Sequence, residues 1–202
     1  MNETFSDLLT EFLNLAYRLH EKNLWRPLQS VLCCLNKYLS YFPVQTPNEK
    51  YSILLEFLMK NGNATIRKLA CELMVRFHKH IFISKKRLDI LKMVQNEFLK
   101  SRNCFRRQLY IDFCMIATKN FSRKFLCIYI IPDCLTLAYD RVANVRRKVA
   151  KLLPDIRGKI RINDKENLKL FSEILDYLRK DFDIDVNEVR SFFSIFSNNN
   201  FP

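Results

Sequence analysis

Glycine is almost missing from this chain, with two residues in 202, and only six prolines stand beside them. Turn-rich β architectures and Gly/Pro-dominated disordered segments need far more of both, so the composition excludes them. Tryptophan occurs once and histidine three times. His78 and His80 lie two apart, on different sides of a helix, and no cysteines have CxxC spacing, so neither a metal nor a cofactor is expected. Charged residues interrupt every apolar run before it reaches the length of a membrane span. The opening MNETFSDLL is acidic and lacks the basic and apolar regions of a signal peptide, so the expected setting is the cytoplasm or nucleus, with no membrane partner. Paired carboxylates, a Ser-His-Asp set, a glycine-rich phosphate loop and a metalloprotease motif are also lacking, and an enzyme is not expected.

What is present is helix-forming. Hydrophobic residues make up 49% of the chain and fall in long amphipathic runs, which predicts an almost wholly helical protein with short turns. The seven cysteines, Cys33, Cys34, Cys71, Cys104, Cys114, Cys127 and Cys134, are odd in number and mostly on apolar faces. They read as reduced core residues rather than disulfides. The net charge of +13 sits in the middle: residues 63–161 hold 23 Lys/Arg and 7 Asp/Glu, a net +16, while 1–62 are neutral and 162–202 net −3.

The clearest unit is 140–154, DRVANVRRKVAKLLP, an aspartate and a turn followed by a helix with Val145, Val149, Ala150 and Leu153 on one face. Taking Arg146 as a register mark, arginines behind apolar or aromatic residues recur at Arg26, Arg67 and Arg190, and at Arg107 behind Phe105 and Arg106, with successive spacings of 41, 40, 39 and 44 residues. That period is the length of a HEAT-type helix pair. The expected fold class is therefore all-α, a HEAT-repeat solenoid (α-α superhelix) of about five helix pairs, in one array over 1–197. The pairs fall at about 3–43, 46–80, 84–121, 122–160 and 164–197, with a polar tail at 198–202.

Local signals set the expected breaks. Phe42-Pro43 ends the first pair and Thr46-Pro47 starts the second. Gly62 suits a left-handed cap, Pro132 interrupts a helix near Ile131, and Pro154 with Gly158 stops the 143–154 helix. Leu8, Leu9, Phe12, Leu15, Ala16 and Leu19 form the expected buried stripe of the first helix. Neither end shows a polar capping helix, and Phe192, Phe193 and Phe196 are apolar near one end, which suggests part of a longer array, a chain truncated by alternative processing, or ends covered by a bound partner.

Segments 130–140 (IIPDCLTLAYD) and 142–154 (VANVRRKVAKLLP) closely resemble a repeat of the HEAT-repeat phosphatase scaffolds, the family of the A subunit of protein phosphatase 2A. Segment 106–125 (RRQLYIDFCMIATKNFSRKF) is similar to the phosphatase 4 type regulators of that family. The resemblance is densest over about 101–157. It implies a non-catalytic scaffold or regulatory subunit whose partner is a serine/threonine phosphatase catalytic subunit of phosphatase 4 type, held by the turns between the two helices of each repeat. Carried over by position, the implied contacts are Leu24, Trp25 and Arg26 in the first turn, Asn103 in the third, Arg141, Val142 and Asn144 in the fourth, and Asp183 and Asp185 in the fifth. The second turn, Asn61-Gly62-Asn63, and Pro27 depart from the family pattern.

Each candidate has a plainer reading. Trp25 is either a partner anchor or filler in the seam between two repeats. Asp140 and Arg146 have the spacing to pair across a turn, and the recurring arginines read best as a ladder of polar contacts joining neighbouring repeats. The basic groups 85–87, 106–107, 123–124 and 146–148 would bind nucleic acid or an acidic protein or peptide if they lay on one ridge.

Overall fold

The computed structural model describes residues 2–39, 49–81 and 84–187, and these are helical with short turns and no strand among them. The helices pack in neighbouring pairs as a HEAT-like solenoid does. The chain divides into two compact units, 1–96 and 97–202. The Phe42-Pro43 stop, the Thr46-Pro47 start, Val189-Arg190, Phe192, Phe193, Phe196 and the tail lie outside the described residues.

The first unit contains α1 (Asn2–Glu21), α2 (Trp25–Tyr38), α3 (Glu49–Asn61), α4 (Ala64–His80) and α5 (Ser84–Val94). α2 packs on α1 and α4, and α3 packs on α4. Its core is Leu28, Leu32 and Leu35 from α2, Leu54, Leu55 and Leu58 from α3, and Ile66, Leu73 and Met74 from α4. Each fully buried aliphatic chain contributes roughly 1.5–3 kcal/mol. Tyr51 meets Phe77 edge-on at 4.7 Å, and Asn36 bridges α2 to α4, donating to Glu72 and accepting from Arg76. In α1 the buried face is centred on Leu13 and Ala16, whereas Leu8 and Leu15, expected inside, are exposed. The actual stripe is rotated toward the side that faces α2 and α3.

The second unit contains α6 (Cys104–Asn120), α7 (Arg123–Tyr129), α8 (Ile131–Thr136), α9 (Ala143–Arg157), α10 (Lys165–Leu178) and α11 (Ile184–Asn187). A π-helical turn, Gln95–Leu99, precedes α6 along the chain. α9 lies centrally against α6, α10 and α11 and buries Val145, Val149, Leu152, Leu153 and Ile156. Pro132 breaks the first helix of its pair as its chemistry demands: α7 ends at Tyr129 and α8 restarts with the proline in its first turn.

Two local expectations are corrected. Pro154 lies inside α9, which continues to Arg157 before the Gly158 cap. One absent N–H near a helix end costs less than unwinding a turn that buries Ile156. Gly62 does not have positive φ; Asn23, at φ 54°, is the left-handed residue. Gly62 is needed for space, since a Cβ there would stand 2.7 Å from both the Leu58 carbonyl oxygen and Ile66 Cγ2. All seven cysteines are free, with Cys71, Cys114, Cys127 and Cys134 buried, but Cys33 and Cys34 are exposed, against the core reading.

Candidate protein-interaction surface

The turns inside each helix pair are built by caps. Asn63 and Asn103 accept from backbone N–H groups of Ile66 and Phe105 with their side-chain oxygens, at 2.9 Å each, and so start α4 and α6. Val142 starts α9 with no side-chain cap. Asp140 supplies the missing acceptor from two residues back: its Oδ1 receives the Val142 N–H at 2.8 Å, an Asx turn. Asp181 repeats the device, with the Asp183 N–H donating to Oδ1 at 2.9 Å.

These two aspartates form a ladder in the second unit. Arg107 of α6 reaches the turn before α9 and binds Asp140 through both nitrogens, Nε to Oδ2 at 2.5 Å and Nη2 to Oδ1 at 2.8 Å. Arg146 of α9 does the same to Asp181 in the next turn, at 2.6 and 2.8 Å. Each arginine also donates Nη1 to the backbone of its own turn, Arg107 to the carbonyls of Ser101 and Arg102 and Arg146 to that of Asp140. Three successive turns are therefore tied in a row by bidentate, charge-assisted bonds. Both pairs are nearly buried. Hydrogen bonding from Arg146 holds the Asp181 carboxyl below its usual range, against its burial. Burial alone would raise the Asp140 carboxyl, and the Arg107 and Val142 hydrogen bonds outweigh it.

The expected pairing of Asp140 with Arg146 is thus corrected. Arg146 bonds the Asp140 backbone, and the carboxylate belongs to Arg107 of the preceding pair. The register is corrected too. Arg67, Arg107 and Arg146 stand four residues after the cap positions Asn63, Asn103 and Val142, but four after Leu24 comes buried Leu28, with Arg26 outside the series. In the fifth pair the position falls on Asn187, whose amide donates to the Asp181 carbonyl six residues back, as Arg146 does to Asp140.

The nine implied contact residues divide by role. In the first unit Leu24, Trp25 and Arg26 are exposed, with the Arg26 guanidinium 4.9 Å from the Trp25 ring centroid. Trp25, 43% exposed, borders a cleft of about 230 Å³ shared with Leu19, Asn61, Gly62 and Asn63. It is therefore neither fully buried seam filler nor a free side chain. In the second unit Arg141 and Asn144 are exposed. Asn103, Val142 and Asp183 are occupied by turn geometry, Asp183 Oδ1 accepting from the Val186 N–H at 3.3 Å. Asp185 pairs with Arg147 at 2.9 Å.

Three apolar residues on the same turns escaped the sequence reading. Phe105 is 64% exposed beside Asn103, and Phe182 and Ile184 stand out from the fifth turn. Large apolar residues in or next to a short polar turn were the available signal. Five of the ten residues in the basic groups are spent inside the fold: Arg107 and Arg146 in the ladder, Arg147 on Asp185, Lys148 on Asp112 at 2.6 Å, and Arg87 on the Ile81 carbonyl. Among the described residues no group of three or more His, Cys, Asp or Glu could hold a metal ion, and no helix is long and apolar enough to cross a membrane.

Paired helices and a bonded row of turns define a HEAT-like helical-repeat protein. No family model matches the chain. It is similar to serine/threonine-protein phosphatase 4 regulatory subunit 4 of Homo sapiens and to the Mus musculus protein of that name, at 24% identity over 153 residues in each case. The alignment takes in 74% of this chain and 16% of either relative, so the chain spans about a sixth of the length of the relatives it matches.

Proposed function

We propose that the chain is a non-catalytic, cytoplasmic scaffold or regulatory protein, its helix pairs forming one array, that binds a serine/threonine phosphatase catalytic subunit of phosphatase 4 type through the turns inside its helix pairs. The observation that carries this reading is the Arg-Asp ladder, which fixes three successive turns while Phe105, Arg141, Asn144, Phe182 and Ile184 face solvent on them. A row of anchors held in place before binding spends little free energy on ordering, so several modest contacts act together. The distant likeness to a phosphatase 4 regulatory subunit supports the choice of partner. The catalytic groups belong to that partner.

Size-exclusion co-elution with the catalytic subunits of phosphatases 4 and 2A at physiological salt tests the reading. The phosphatase 4 subunit is expected to co-elute, and Trp25→Ala/Arg26→Ala to weaken the complex about tenfold or more with helicity unchanged, because exposed Trp and Arg are frequent hot spots. A folded chain that binds neither subunit overturns the proposal. Equal binding by the double variant removes the first turn from it.

A further inference from the structure

The ends of the helices away from these turns carry a second surface. α6 and α9 each run roughly 25 Å from the intra-pair turns at the standard helical rise, and they deliver the chain to the connections that open α7 and α10. Between those connections lies a cavity of the second unit, about 700 Å³, open to solvent. Arg123 and Lys124 line it from the first turn of α7 and Arg161 from the loop before α10. All three are exposed and make no ion pair among the described residues, unlike Arg107, Arg146, Arg147 and Lys148. Ile128, Pro132 and Leu170 add apolar surface to the same lining.

The loop on the α10 side is fixed. Asp164 caps α10, accepting from the Asn167 N–H at 3.3 Å and from its amide at 2.9 Å, and the same amide reaches the Cys127 carbonyl at 3.5 Å. Cys127 Sγ lies 3.7 Å from the Lys159 carbonyl oxygen. These bonds join α7, the loop and α10, the elements that line the cavity.

We propose that this cleft between α7 and the start of α10 docks an acidic peptide segment of a partner protein, its carboxylates on Arg123, Lys124 and Arg161 and an apolar side chain between Ile128, Pro132 and Leu170. Charge complementarity and the apolar part of the lining choose the occupant. A nucleic-acid strand fits less well, because no aromatic ring lines the cavity for base stacking. Because the cleft shares no lining residue with the turns assigned to the phosphatase, either reading survives failure of the other.

Fluorescence anisotropy with the full chain and a labelled EEDLDEE peptide, in parallel with a labelled single-stranded oligo-dT at the same salt, tests the proposal. Arg123→Glu/Arg161→Glu is expected to weaken peptide binding about tenfold or more, since reversal removes two attractions and adds two repulsions. Trp25→Ala/Arg26→Ala leaves peptide binding unchanged. Circular dichroism checks folding, and Lys124→Gln, a milder change in the same lining, gives a smaller loss. Wild-type chain that ignores the peptide, equal affinity in the charge-reversed variant, or tighter oligo-dT binding that the reversal abolishes each overturns the proposal.

Discussion

His78 has no exposed surface, and its Nε2 sits 2.7 Å from the Arg87 carbonyl oxygen, a geometry in which the neutral ring donates. Burial pushes its pKa from 6.5 down to about 4, and the nearby Arg87 charge acts in the same direction against the carbonyl bond. Between those two values the unfolded chain holds a proton that the folded chain refuses. Stability from this residue is thus fully present above about pH 6.5 and is lost as pH falls toward 4, by about 3 kcal/mol when complete. Urea unfolding across this range is expected to show a falling midpoint in the wild type and a flatter one in His78→Gln, which retains a donor for Arg87. His80 is also shifted down, by burial first, so its part of the slope remains in both chains. A difference curve flat from pH 6.5 to 4 would exclude His78 as the cause. The sequence revealed only that His78 and His80 face different sides of a helix. The carbonyl that seals His78 comes from α5, a tertiary contact with no local signature.

At the scale of elements the ladder is the main determinant. Each arginine leaves one helix, binds the aspartate of the next turn and also fastens its own turn, so one residue sets two connections. Asp140→Ala is expected to cost about 3–5 kcal/mol, because it strands a nearly buried Arg107 and removes the Val142 acceptor. Thermal unfolding of Asp140→Ala, Arg107→Ala and the double variant measures this, and the double loss should fall well short of the two single losses combined. Additive losses would mean that the pair is not coupled. Its contribution is present above the ordinary carboxylate range and disappears as acidification takes Asp140 and Asp181 through their depressed pKa values. The recurring arginine and the aspartate ahead of it were legible, as was their role in joining neighbouring pairs. Which arginine meets which aspartate was not, since a spacing of six residues allows a bond to the backbone and a spacing of 33 reads as no pattern until the helices are packed. Asn187 was missed for a related reason: it keeps the backbone bond of the arginine position without the charge that marks it.

For the whole molecule, the fold class followed from scarce glycine, amphipathic runs and a period near 40 residues, all averaged over many positions and so tolerant of local error. Contact residues are single positions, with no average to rest on. Carry-over by position selected Asn103 and Asp183, which the turns themselves use, and passed over Phe105 and Phe182, which they leave outside. The proposed function assigns contacts to both units, and that assignment can be tested separately from the identity of the partner. Phe105→Ala/Phe182→Ala truncates solvent-facing rings in the second unit, so helicity and unfolding midpoint are expected to hold while affinity for the phosphatase catalytic subunit falls about tenfold. Trp25→Ala/Arg26→Ala does the same in the first unit. With no shared partners among these residues, the two free-energy costs should add, and the fourfold variant should bind about a hundredfold more weakly than wild type in calorimetric titration. A loss confined to one pair of substitutions would restrict the interface to that unit. A fourfold variant no weaker than either double variant would show that the two units do not contribute independently to one complex.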